Sequence, residues 1–71
     1  MSFKDDWQAF VDPENFDEQL RAWKNVKPRL LKHEVRKITE AWVYALESGN
    51  PAKFEEICRE ISMKLGFEKH F

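Results

Sequence analysis

The side chains that offer catalytic or metal chemistry stand in incomplete patterns. His33-Glu34 begins the zinc-protease helix pattern H-E-x-x-H, but Lys37 occupies the position of the second histidine. Two zinc ligands one helical turn apart are therefore not available on this segment. We expect His33 to face solvent, and His70 lies in a predicted C-terminal tail.

Carboxylates and a thiol share the last predicted helix. Glu55, Glu56 and Glu60 lack the Glu-x-x-His spacing from which di-metal sites in helical bundles are built. Cys58 is the only cysteine and belongs to the apolar stripe of that helix, where a thiol is usually buried and inert. We therefore expect a chain that is not an enzyme and that has no catalytic residue, metal or cofactor.

Length and composition predict a small folded protein. The 71 residues suffice for one domain, 1–71, and 42% of them are hydrophobic, which is too many for a disordered tail. No stretch approaches the roughly 20 apolar residues of a membrane span, and the N-terminus resembles no signal peptide. With a single thiol suited to a reducing compartment, we expect a soluble, cytoplasmic protein with no membrane partner.

Prolines and glycines divide the chain. Asp12-Pro13 and Asn50-Pro51 each combine an N-cap side chain with a proline at the first helical position, and they predict helix starts. Gly49 and Gly66 predict helix ends, the second as a Schellman motif closed by the next residue, Phe67. Pro28 predicts a turn between two helices.

Apolar residues recur at helical spacing and predict an all-α fold. The predicted helices cover 4–11, 13–26, 28–48 and 51–65, followed by a tail at 67–71. Their apolar stripes consist of Trp7, Phe10 and Val11; Phe16, Leu20 and Trp23; Leu31, Val35, Ile38, Trp42, Ala45 and Leu46; and Phe54, Ile57, Cys58, Ile61 and Leu65. Short connections predict a small antiparallel helical bundle of three main helices plus a short N-terminal helix.

Positive charge is concentrated in one segment. Seven of the twelve Lys and Arg residues fall between positions 21 and 37, namely Arg21, Lys24, Lys27, Arg29, Lys32, Arg36 and Lys37. Both arms of the predicted hairpin bring these bases to one end of the bundle, while most acids collect at the other end. We therefore expect a basic pole and an acidic pole in a chain whose net charge is -1.

A protein partner is the first functional hypothesis. Val43 and Tyr44 lie off the apolar stripe of the third predicted helix, beside charged residues, as at the rim of an interface. The alternative is that Val43 packs under the first helix and Tyr44 only touches solvent. We expect a regulator, adaptor or inhibitor that binds an acidic protein surface, or a second copy as a homodimer, through Arg29, Lys32, Arg36, Lys37, Val43 and Tyr44.

Nucleic acid is the second hypothesis. Lys24, Lys27, Arg29 and Lys32 could neutralise phosphates, and an exposed Trp23 could stack on a base. Against this, the isoelectric point is about 6.1, whereas nucleic-acid-binding domains often exceed roughly 9. The spacing of Trp23 also favours core packing. An accessory DNA- or RNA-binding role stays open as the alternative.

Overall fold

A computed structural model describes residues 2–67, which form four α-helices and one short 3-10 helix. The helices are α1 (Phe3–Val11), α2 (Phe16–Val26), α3 (Lys32–Ser48) and α4 (Ala52–Leu65), with the 3-10 helix at Lys27–Arg29 between α2 and α3. Residues 2–67 contain no strand, so the all-α prediction is confirmed. The part of the predicted tail after Phe67, which includes His70, lies outside the described residues.

Contacts divide the chain into two compact units. Met1–Leu31 contains α1, α2 and the 3-10 helix, and Lys32–Phe71 contains α3 and α4. The single domain over 1–71 and the antiparallel bundle of all four helices stay predictions. No helix within the described residues is long and apolar enough to cross a bilayer.

Aromatic packing organises the first unit. Trp7 and Phe10 of α1 are fully buried, as their stripe predicts, and their ring centroids lie 5.8 Å apart. The Phe10 ring also stacks on Trp23 of α2 at 4.8 Å. Stacked pairs of this kind contribute about 0.5 to 1.5 kcal/mol beyond the area they bury. Trp23 therefore packs against α1, as its helical spacing favoured.

The start of α2 corrects the prediction made from Asp12-Pro13. Asn15, and not Asp12, is the N-cap: its Oδ1 accepts a hydrogen bond from the Glu18 backbone N–H at 2.8 Å. Glu18 Oε1 in turn accepts from the Glu14 N–H at 2.7 Å, a variant of the capping box. Asp12 instead ends α1, so Pro13 belongs to the connection and not to a helix.

The buried face of α2 is also displaced by one residue from the predicted stripe. Its buried residues are Gln19, Ala22 and Val26, whereas Phe16 and Leu20 are exposed. Gln19 tolerates burial because its Nε2 donates to the Phe10 carbonyl oxygen at 3.0 Å.

Pro28 produces a turn, as predicted, but it does not start a helix that continues to Ser48. It lies in the 3-10 helix, Leu30 is extended, and α3 begins at Lys32. Arg29 is consequently not on α3; its guanidinium lies 4.9 Å from the centroid of the Phe3 ring in the first unit. The predicted start of the third helix at residue 28 is therefore wrong, and Arg29 does not share a helix with Lys32 and Arg36.

In the second unit α3 and α4 run antiparallel. Glu34, near the start of α3, contacts Lys64, near the end of α4, and Trp42 stacks on Phe54 with ring centroids 6.0 Å apart. The predicted α4 stripe is confirmed for its buried members Phe54, Ile57, Cys58 and Ile61, with Leu65 half-buried.

Helix-end chemistry closes the second unit largely as predicted. Gly49 and Gly66 both have positive φ angles, of 74° and 85°. At the Schellman motif, the Phe67 N–H donates to the Ser62 carbonyl at 2.7 Å and the Gly66 N–H to Met63 at 3.1 Å. Asn50 Oδ1 accepts from the N–H of Ala52, where α4 begins one residue later than predicted.

The N-cap of α2 at Asn15 can be tested against Asp12, the N-cap that the sequence predicted. We expect Asn15→Ala to lower the free energy of unfolding by about 1 kcal/mol, because the Glu18 N–H loses its acceptor. Asp12→Ala is the matched control and should change it by less than about 0.5 kcal/mol. Urea denaturation measures both, and a larger loss for Asp12→Ala would contradict this start of α2.

Candidate functional site

The rotation of α3 decides which of its side chains are available to a partner. Its buried residues are Glu34, Ile38 and Ala41, at the i, i+4 and i+7 spacing of one helix face. The predicted stripe is therefore displaced: Val35 and Trp42 are only half-buried. Two further predicted members, Leu31 and Leu46, are exposed, the first of them outside α3.

Glu34 is buried in α3 as a charged residue. Its Oε2 lies 3.0 Å from Lys64 Nζ of α4, and its side chain is 9% exposed against 60% for Lys64. The burial of an isolated carboxylate is costly, and this ion pair offsets part of that cost. The first turn of α3 therefore directs its only acid inward.

The opposite side, which we call the exposed face of α3, consists of residues that are all exposed. Its members are Lys32, His33, Arg36, Lys37, Thr39, Glu40, Val43, Tyr44, Leu46 and Glu47. We call Lys32, Arg36 and Lys37 its basic half, and Val43, Tyr44 and Leu46 its apolar half. The apolar side chains are 47%, 54% and 62% exposed, respectively, within four consecutive positions.

Charge changes sign along this face. Glu34 is turned inward, so no exposed acid lies in the first turn of α3, and the exposed acids of this face, Glu40 and Glu47, follow the basic half. Lys32 and Arg36 lie four residues apart, where like charges cost about 0.2 to 0.5 kcal/mol. Cations in a first turn also oppose the helix dipole. Helix stability therefore does not account for the basic half.

The structure unites most of the predicted partner-binding residues. Lys32, Arg36 and Lys37 lie on the exposed face with Val43 and Tyr44, and both of the latter are exposed as predicted. The exception among the predicted residues is the arginine at position 29, which belongs to the first unit.

Leu46 is the exposed residue that the sequence analysis missed, because it was assigned to the buried stripe. The signal that would have identified it is Ala41, whose small side chain is one of the three buried positions of α3. The alternative nucleic-acid set is split between units, with Lys24, Lys27 and Arg29 in the first and Lys32 in the second.

A groove borders the exposed face where α3 meets α4. It encloses about 410 Å³ and is lined by Lys37, Glu40, Ala41 and Tyr44 of α3 and by Lys53, Glu56, Ile57 and Glu60 of α4. Lys53 pairs with Glu56 at 3.3 Å. Tyr44 thus presents one side to this groove and belongs at the same time to the apolar half.

The candidate chemical groups of this unit lie apart from one another: Cys58 on α4 and His33 near the start of α3. Cys58 is buried, and its burial, reinforced by the negative charge of Glu55, raises the pKa of the thiol to about 12. His33 is exposed, beside the inward-turned Glu34. Within residues 2–67, no group of three or more His, Cys, Asp or Glu side chains is placed to hold a metal ion.

Comparisons of the chain with protein-family models, with curated proteins and with solved structures find no match.

The contribution of the Glu34–Lys64 ion pair to stability can be measured by comparison with the exposed Lys53–Glu56 pair. Lys64 and Lys53 are similarly exposed, but Glu34 is buried whereas the partner of Lys53, Glu56, is exposed. We expect Lys64→Met to lower the free energy of unfolding by about 1 to 2 kcal/mol, because a buried carboxylate loses this cation. Lys53→Met should cost less than about 0.5 kcal/mol. If urea denaturation shows equal losses of unfolding free energy for Lys64→Met and Lys53→Met, the burial of Glu34 does not strengthen its ion pair.

Proposed function

We propose that this chain is a small protein–protein interaction module, of the regulator, adaptor or inhibitor type, which docks through the exposed face of α3. The role is binding and not catalysis, and the buried, lone thiol of Cys58 suits a cytoplasmic setting. The observation that carries the proposal is the apolar half, which lies exposed on the same helix face as the basic half.

The apolar half supplies the contact area. Isolated exposed apolar residues are ordinary on protein surfaces, but Val43 and Leu46 are neighbours at i and i+3, and Tyr44 adds an exposed ring on the side of the groove. Tyrosine is enriched among residues that dominate binding energy, since it buries a large area and loses few rotamers. We expect Tyr44 and Val43 to enter the partner's surface, with Leu46 extending the contact.

The basic half attracts and orients an acidic partner surface. Lys32, Arg36 and Lys37 favour a partner surface that carries carboxylates about one to two helical turns from an apolar pocket. Such charges mainly raise the rate of encounter and make it sensitive to salt. The partner we propose therefore presents an acidic patch beside an apolar one.

Nucleic acid is less well supported as the ligand. Trp23, the residue that would stack on bases, packs its ring against Phe10, and the Arg29 guanidinium lies over the Phe3 ring. The exposed face also ends in apolar and acidic groups, which phosphates do not favour. Binding to nucleic acid is nevertheless a distinguishable outcome of the test.

The test compares three variants of the tagged, full-length chain in capture from its native cells. We expect Lys32→Glu/Arg36→Glu/Lys37→Glu and, separately, Val43→Ser/Leu46→Ser to weaken capture of the same partner at least ~10-fold. Arg59→Glu changes an exposed cation on α4 that lines neither the exposed face nor the groove, and it is the control, which should retain the partner. Circular dichroism verifies that each variant keeps its helices.

Two results would count against this role. If the variant of the basic half and the variant of the apolar half both capture every partner of the wild-type chain, the exposed face is not the docking surface. A gel shift of labelled duplex or single-stranded nucleic acid that weakens with salt and is lost with the basic half would favour the alternative ligand.

A further inference from the structure

We infer that the exposed face of α3 is self-complementary and binds a second copy of this chain in an antiparallel, two-fold arrangement. The inference rests on the proposed function, because it assigns one partner to the same surface. In such a pairing each surface patch meets its own equivalent in reverse order, so a face that changes character from one end to the other can complement itself.

Charge polarity selects the antiparallel direction. The basic half occupies the first part of the exposed face, and Glu40 and Glu47 lie in its second part. A parallel pairing would set Lys32 against Lys32 and Arg36 against Arg36, which repel. Reversal of one helix brings each basic half over the acidic and apolar part of the other copy, where the charges attract.

One register matches the residues at the two ends of the face. With the two-fold axis between Thr39 and Glu40, Lys32 lies opposite Glu47 of the second copy, and Arg36 lies opposite Val43. The same axis sets Thr39 opposite Glu40 of the second copy. All of these residues are exposed in the isolated chain. The register therefore pairs opposite charges at both ends, while the two Glu40 side chains approach each other beside the axis.

In this register, Arg36 of each copy covers Val43 of the other copy. The three-carbon stem of Arg36 can lie along Val43 of the second copy while its guanidinium reaches solvent or the neighbouring Tyr44 ring. Each copy contributes one such contact on either side of the axis. Val43 thus gains cover from a basic side chain of the second copy.

The size of the face predicts a weak dimer. A helix of 17 residues is about 25 Å long, and its ten exposed positions fall short of the roughly 20 to 30 residues per side of a standard interface. We expect a dissociation constant of about 10⁻⁵ to 10⁻³ M. Since the dimer covers the docking surface, a second copy and a heterologous partner compete for it.

The experiment is a charge swap followed by sedimentation equilibrium of the full chain, from about 10 µM to about 1 mM. We expect Lys32→Glu alone and Glu47→Lys alone to weaken dimerisation at least ~10-fold, because each sets like charges opposite each other. The double variant Lys32→Glu/Glu47→Lys should restore it to within about threefold. The two positions lie about 22 Å apart in one chain, so rescue reports contact between copies.

Arg59→Glu, an exposed change on α4, is the control and should leave the dimer unchanged. A wild-type chain that stays monomeric throughout, or a double variant as weak as the single ones, overturns this dimer. Its failure is separable from that of the proposed function: a monomer whose partner capture still depends on the exposed face rejects the second copy and retains the interaction role.

Discussion

The ion pair between Glu34 of α3 and Lys64 of α4, at 3.0 Å, constrains the face that α3 can present. A carboxylate at a buried position is tolerated only when a cation or hydrogen-bond donors reach it, and Lys64 supplies that cation from the end of α4. With Glu34 turned inward, Ile38 and Ala41 follow it into the core. The residues on the opposite side, among them Arg36, must then face outward.

The same arrangement recurs in the first unit, where Gln19 occupies a buried position on α2 and donates to a backbone carbonyl of α1. In both units an alanine shares the buried face with this polar residue: Ala22 lies three residues after Gln19, and Ala41 lies seven residues after Glu34. Small side chains allow close approach of helices, and the larger apolar residues then lie at the margins. Leu20 and Leu46 are exposed for this reason.

The sequence was sufficient to predict the four helices and the left-handed stops at Gly49 and Gly66, because spacing and local backbone chemistry determine these features. It did not predict the rotation of α2 and α3. Hydrophobic periodicity assigns a glutamate outward, whereas Glu34 is held inward by a residue thirty positions away. The helix starts placed at Pro13 and Pro28 were also wrong, since proline suits a turn as well as a first helical position.

The rotation of α3 is the central claim, and thiol accessibility tests it most directly. In a Cys58→Ala background, single cysteines at Ala41, Val43 and Leu46 would be treated with a thiol reagent at low protein concentration, where the chain is monomeric. Val43→Cys and Leu46→Cys should react nearly as fast as an unfolded thiol, whereas Ala41→Cys should be protected, like native Cys58. A protected Leu46→Cys with a reactive Ala41→Cys would contradict this rotation of α3 and, with it, the exposed face.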